Sequence, residues 1–144
     1  MVDVPYWRTK ESIDKIRTYA DIGKHCYIAT ACTIDGKREQ GRVSIGDRTV
    51  IAEGVMILCH DAACGVCGLH QVCGDTKIGN NCFIGIRTVV LVGRTIGDNS
   101  IVGACSVITK DIPPNQVWGG NPAKFICTIE EFKEKHKQNE FPRK

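Results

Sequence analysis

From Ile78 to Pro113 the chain reads IGNNCF, IGIRTV, VLVGRT, IGDNSI, VGACSV, ITKDIP, six consecutive blocks of six residues. An aliphatic residue opens every block: Ile78, Ile84, Val90, Ile96, Val102 and Ile108. This period is neither the roughly 3.6 residues of a helix nor the alternation of a half-buried strand. It suits a coil of short strands and turns in which each segment points one aliphatic side chain inward and stability comes from stacking. The same phase recurs upstream, where Ile22, Ile28 and Ile34 open IGKHCY, IATACT and IDGKRE, and Ile45, Ile51 and Ile57 open IGDRTV, IAEGVM and ILCHDA. Between these runs the phase slips, so residues 35–44 and 61–71 are expected to hold insertions.

Other places in the block carry their own signals. Glycine often follows the aliphatic (Gly23, Gly46, Gly79, Gly85, Gly97, Gly103), where a turn is expected to exploit its tolerance of positive φ. The fifth place is often small: Cys26, Cys32, Thr49, Cys82, Thr88, Ser100 and Ser106. Stacking is expected to bring these into one ladder at the sheet spacing of about 4.8 Å, which gives several cysteines a packing role. Arg94 occupies such a small-residue place. A guanidinium there needs a partner, so either the backbone shifts locally or Arg94 meets a carboxylate or phosphate.

The chain has 144 residues, which fits one domain. Fifteen glycines against 6% aromatics imply a narrow core of small and β-branched side chains. Nineteen basic and 16 acidic residues give a net charge of +3, too balanced to argue for nucleic acid. The start, MVDVPYWRTKES, has no apolar signal-peptide core, and the uncharged apolar run from Ile101 to Ile108 is far short of the roughly 20 residues that span a bilayer. A cytoplasmic location is expected, with the nine cysteines read as free thiols rather than a disulfide framework. Two flanks are not repetitive. SIDKIRTYA predicts a short helix with Ser12 as cap and Ile13, Ile16 and Tyr19 on one side. TIEEFKEKHKQ predicts a second helix, opened by a Thr128–Glu131 capping box and expected to cover the last coil. The expected division is a helical flank over 1–20, the repeat domain over 21–126 with excursions near 35–44 and 61–73, and a helix within 127–144.

The stretch from Ile78 to Ile126 resembles the C-terminal signature of hexapeptide-repeat acyltransferases, in particular sugar and polysaccharide O-acetyltransferases of the maltose, galactoside, capsule and lipopolysaccharide kinds. TKDIPPN (Thr109 to Asn115) and GNPAK (Gly120 to Lys124) carry it most specifically, and the similarity covers roughly residues 20–126. The resemblance implies an all-β fold, a left-handed parallel β-helix with short helices at both ends. It also implies a homotrimer with acetyl-CoA held in clefts between adjacent coils, and a small-molecule sugar acceptor, without nucleic acid, membrane insertion or a metal. ILCHDA (Ile57 to Ala62) matches the family's His-Asp pair before a loop, which makes His60 the catalytic histidine. By the same match Gly85 and Ile86 hold the pantetheine arm and thioester, Ile86 through backbone only, since the family has a small residue there. Gly103 and Ala104 add cofactor contacts, and Thr109, Lys110 and Lys124 meet the nucleotide end, the lysines as point charges for phosphate.

The chemistry agrees with that reading. An alcohol is a poor nucleophile at neutral pH, and histidine is the side chain suited to take its proton. The tetrahedral oxyanion needs donors, commonly backbone N–H groups, which glycine-rich turns expose. Asp61, His70 and Phe83 are the candidate acceptor contacts, with structural roles open for each: a solvated Asp61 turned away from His60, a loop His70, a packing Phe83. Two other readings stand beside this one. The first is an N-acetyltransferase of an amino sugar or nucleotide sugar. The second is a zinc-binding coil without acyl transfer, since His60, Cys64, Cys67, His70 and Cys73 form H-x3-C-x2-C-x2-H-x2-C.

Overall fold

The computed structural model describes residues 13–36 and 39–139. Ser12, the expected helix cap, lies outside them.

Short strands alternate with turns, and all but one pair of them fall into three sheets. Sheet I contains Asp21–Ile22, Val43–Ile45, Thr76–Ile78 and Thr95–Ile96. Sheet II contains Tyr27–Ile28, Val50–Ile51, Phe83–Ile84, Ile101–Val102 and Gln116–Gly120. Sheet III contains Thr33–Ile34, Met56–Ile57, Val89–Val90 and Val107–Ile108. Within these sets every pairing is parallel. The chain visits I, II and III in rotation, so each circuit lays one strand on each sheet and the next circuit stacks on it.

The register is the hexad register. Ile22, Ile45, Ile78 and Ile96 align on sheet I, with Ile112 bridging to Ile96 at the end. Ile28, Ile51, Ile84 and Val102 align on sheet II, and Ile34, Ile57, Val90 and Ile108 on sheet III. From Ile51 onward most of these side chains have no solvent exposure. Each contributes roughly 1.5–3 kcal/mol by burial, and β-branching fits them to two-residue strands packed on a narrow core.

The glycines after the aliphatic residues do not use positive φ. In the corners that join sheets I and II, and in most of those joining II and III, positive φ falls two residues later. It is found at His25, Arg48, Asn81, Asn99 and Asn115, and at Arg87 and Cys105. Glycine is required for a different reason: the next circuit passes too close. A Cβ on Gly79 would collide with Asp98 Oδ1 and lie 2.9 Å from Asp98 N, and one on Gly46 would lie 2.7 Å from the carbonyl carbon of Gly79.

The small fifth-place residues form two ladders rather than one. Cys26, Thr49, Cys82 and Ser100 stack at the I–II corner, where Thr49 Oγ1 donates to Gly79 O (2.8 Å) and Ser100 Oγ to Pro113 O (3.1 Å). Cys32, Val55, Thr88 and Ser106 stack at the II–III corner, where Thr88 Oγ1 donates to Gly103 O (3.1 Å). Arg94, at the III–I corner, forms no ion pair with a carboxylate among the described residues. Its Nε donates to Val92 O (3.3 Å) and its Nη1 to Thr109 O (3.2 Å), so backbone carbonyls satisfy the half-buried guanidinium.

At the first end, residues 13–17 are helical, and Ile13 and Ala20 join the core cluster. The last circuit is finished differently from the expectation. Strand Ala123–Thr128 pairs antiparallel with Gln116–Gly120 at the edge of sheet II. The helix Ile129–His136 then buries none of its residues. One half of the capping box read from the sequence is present, with Thr128 Oγ1 accepting from Glu131 N (3.2 Å), while the Glu131 carboxylate accepts from the Thr128 hydroxyl (3.2 Å). Among the described residues no helix is long and apolar enough to cross a membrane.

Candidate active site

Ile57 ends a sheet III strand, and the next residues leave the coil. His60–Asp61 and Val72–Cys73 form a small antiparallel pair, His60 opposite Cys73 and Asp61 opposite Val72. Between them Ala63–Cys67 makes a 3₁₀ helix closed by Gly68 at φ 78°. Gly74 N donates back to Cys59 O (3.1 Å), which returns the chain to the III–I corner. The other excursion returns at Gly41, where a Cβ would lie 2.8 Å from Gly74 N and 2.9 Å from Cys59 O. A glycine is needed there so that the two excursions can touch backbone to backbone.

Stacking supplies the histidine with a partner that the sequence reading lacked. Ile34 lies under Ile57, so Asp35 lies under Leu58, and its carboxylate reaches forward. Asp35 Oδ2 is 2.7 Å from His60 Nδ1 and accepts from Cys59 N at 2.7 Å. The His60 side chain is 29% exposed and the Asp35 side chain 12%. Against a carboxylate acceptor Nδ1 carries the proton, so Nε2 presents its lone pair. Asp35 was findable: it follows Ile34 in the same phase in which Leu58 follows Ile57, one circuit below.

The remaining candidates separate into groups. Asp61 is exposed and turned into its own loop, its Oδ1 accepting from Ala63 N (2.8 Å). His70 lines a cavity of about 520 Å³ with Glu39, Gln40, Gln71 and Cys73, formed where the two excursions meet beside the His60 strand. Among the described residues His60, Cys64, Cys67, His70 and Cys73 do not form a close group of three ligand atoms. The 3₁₀ turn directs Cys67 Sγ to Cys64 O (3.1 Å), and among the described residues the one close group of ligand atoms is Asp35, Cys59 and His60.

Phe83 lies on the outward face of sheet II, 44% exposed, in register with Val50 and Ile101. Gly85, Ile86, Gly103 and Ala104 lie at the II–III corner, a different corner from His60. Gly85 N donates to Val102 O (2.8 Å) and Gly103 N to Trp118 O (2.9 Å), so both amides are engaged in the stack. Ile86 and Ala104 are exposed, and their amides donate to no acceptor among the described residues. Thr109 gives its carbonyl to Arg94, while Lys110 on the III–I corner and Lys124 in the terminal strand are exposed.

The family model for bacterial transferase hexapeptide (six repeats) matches residues 75–110. Protein CapG of Staphylococcus aureus is 37% identical over 137 residues, 89% of this chain and 77% of CapG. The galactoside O-acetyltransferase of Escherichia coli is 40% identical over 101 residues, 65% of this chain and 47% of that enzyme. The chain thus spans about half the length of the curated acetyltransferases that head its matches. Among solved structures, a galactoside acetyltransferase in complex with coenzyme A superposes with a TM-score of 0.70 at 27% identity, covering 92% of this chain and 76% of that one.

Proposed function

Because the chain belongs to the bacterial hexapeptide transferase family, we propose that it is an acetyl-CoA-dependent O-acetyltransferase whose acceptor is a sugar hydroxyl. The observation that carries the mechanism is the 2.7 Å contact between Asp35 and His60. Asp35 is the positioning residue that holds the Nδ1 proton, and His60 Nε2 takes the acceptor hydroxyl proton as the oxygen attacks the thioester carbonyl. The tetrahedral oxyanion collapses, the C–S bond breaks, and the proton on His60 passes to the departing thiolate. The family reading further makes the coil left-handed and the assembly a homotrimer.

The trimer explains why one chain divides its candidates between corners. The unengaged amides of Ile86 and Ala104, with Phe83 on the adjoining sheet, form one wall of a cleft, and His60 of a neighbouring copy forms the other. Thr109, Lys110 and Lys124 take the nucleotide end. Asp61 and His70 flank the acceptor mouth, and the cavity that His70 lines gives it room. Nine thiols outside any disulfide suit a reducing compartment, so we place the protein in the cytoplasm.

Thiol release from acetyl-CoA across a panel of sugars tests the activity. His60→Ala should lower kcat by about 10²–10⁴-fold, the usual worth of a positioned base. An unchanged rate in that variant would remove His60 from the mechanism. Light scattering should give the mass of three chains, and a monomer would leave the divided site unexplained.

A further inference from the structure

Cys59 has no part in the proposed acyl transfer, yet its thiol lies beside the two groups that do. The Asp35 carboxylate, the Cys59 sulfur and the His60 ring each offer one ligand atom, all within 4.8 Å of one another. We propose that these three side chains form a binding site for a soft divalent cation of the zinc class, and that its occupation switches His60 off.

The donor set decides the class of ion. One sulfur, one imidazole nitrogen and one carboxylate oxygen suit zinc, whereas magnesium and calcium call for oxygen shells. Bonds of about 2.0–2.3 Å in a tetrahedron place ligand atoms roughly 3.3–3.8 Å apart. The Asp35–His60 contact at 2.7 Å therefore has to widen, a change that side-chain rotation supplies. Outer-shell support is already in place. Cys59 N–H holds the Asp35 carboxylate at 2.7 Å; the Cys59 thiol, which donates to Gly36 O (3.1 Å), gives up that bond when it ionises and takes the cation in its place. Cys59 has no solvent exposure, so a thiolate there gains from a cation next to it. The partly exposed His60 leaves the fourth position open to water.

Binding releases one proton and moves another. The Cys59 thiol proton goes to solvent, the ion takes the Nδ1 lone pair, and the ring proton passes from Nδ1 to Nε2. With Nε2 protonated, His60 cannot accept a proton from a hydroxyl. This consequence rests on the reading of His60 as base; the binding itself does not.

Metal-free protein titrated with Co²⁺ should take one equivalent per chain, with tetrahedral visible bands and a thiolate-to-cobalt charge-transfer band. Cys59→Ser should abolish the charge-transfer band, and a Cys64→Ser, Cys67→Ser double variant should keep it. Asp35→Asn should weaken binding by more than the roughly 10–100-fold that loss of an outer-shell partner costs. No stoichiometric binding, or a band that survives in Cys59→Ser, overturns the proposal. Because Cys59 is a core residue, cadmium NMR of the unaltered protein gives a second arm. The expected signal is that of a single sulfur with nitrogen and oxygen; two or more sulfurs would place the ion on the loop cysteines and overturn the site. Thiol release without cobalt binding fails the metal site alone, and cobalt binding without thiol release from acetyl-CoA fails the acyltransferase reading alone.

Discussion

Two corners of the coil are built from the same repeat and end in opposite states. At the I–II corner three successive third-place amides receive an acceptor from the circuit above: Lys24 N from Asp47 Oδ1, Asp47 N from Asn80 Oδ1, and Asn80 N from Asp98 Oδ1, at 2.7–2.8 Å. One step outward, Asn81 Nδ2 donates to Asn99 Oδ1 (2.9 Å) and Asn99 Nδ2 to Asn115 Oδ1 (3.1 Å). At the II–III corner Glu53 Oε2 still accepts from Ala31 N (3.0 Å), but in the next two circuits the third place holds Ile86 and Ala104, whose side chains accept nothing, and their amides stay open. Where the Asx ladder runs, from Lys24 to Asn80, the third-place donors are taken. A corner with apolar side chains at those places keeps its amides for something else, which is the property a cofactor wall needs.

The largest expected effect breaks the comparison at its glycines. Gly79→Ala should destabilise the fold by about 3 kcal/mol, the upper range for overpacking, because its Cβ meets Asp98 Oδ1 and backbone of the next circuit. Gly103→Ala, at the II–III corner, should leave stability within about 0.5 kcal/mol of the parent. Its Cβ would find Trp118 O at 3.7 Å and nothing nearer, in a conformation an ordinary residue adopts. Denaturant unfolding of both variants measures the difference. Gly85→Ala, one circuit below Gly103 at the same corner, should lose as much as Gly79→Ala, because its Cβ would lie 2.6 Å from Ala104 N; equal losses in Gly79→Ala and Gly103→Ala would mean that the last circuit crowds its glycine as the inner ones do.

A smaller effect tests what the open amides are for. Pro114 already occupies the third place of the last I–II corner, one residue before Asn115 at φ 62°, and Cys105 at φ 57° follows Ala104 in the same way. The backbone at Ala104 therefore accepts a proline, which deletes the N–H. Ala104→Pro should keep the far-ultraviolet spectrum and raise KM for acetyl-CoA about tenfold, the worth of one hydrogen bond of roughly 1.4 kcal/mol. An unchanged KM would detach the open corner from the cofactor.

Much of this was readable in the sequence, unevenly. The aliphatic phase gave the three rungs residue by residue, because the inward side chain of each short strand is the same place in every block. The positive-φ place was signalled by Asn81, Asn99 and Asn115, since asparagine tolerates that conformation. It was hidden elsewhere by His25, Arg48, Arg87 and Cys105, which do not advertise it. Glycine was read as a turn-former when its cause is the neighbouring circuit, a contact that exists only after stacking. Asp35 was missed for the same reason, although its phase one circuit below Leu58 could have found it. The insertion after Ile34 breaks the phase just where the carboxylate must be carried to His60, and the pairing belongs to two circuits rather than to either. His60 was singled out by its local motif.

The smallest effect is in the thiols, and it sharpens the same contrast. Cys26 and Cys82 belong to the closed corner. Burial pushes both thiols up from the ordinary range, against backbone hydrogen bonds from Thr49 and Ser100 that pull down. Cys32 is raised in the same way by burial, so thiolate is scarce at all three near neutrality. A raised thiol stabilises the folded chain fully below the unfolded thiol's range. The contribution is lost as pH rises through the folded value, so alkaline conditions should weaken the stack modestly. Cys105, by contrast, is exposed at the open corner beside Ala104, and Cys67 is exposed on the excursion. Iodoacetamide near neutral pH, read by mass spectrometry of peptides, should label Cys67 and Cys105 first and Cys59 and Cys82 last. Coenzyme A should then slow Cys105 several-fold while Cys67 continues at its own rate, because only Cys105 adjoins the unengaged amides. If coenzyme A protects neither, the open corner is solvent-facing backbone and the contrast between the corners is one of packing alone. If it protects Cys105 alone, the missing side-chain acceptors at Ile86 and Ala104 mark the surface on which the cofactor lies.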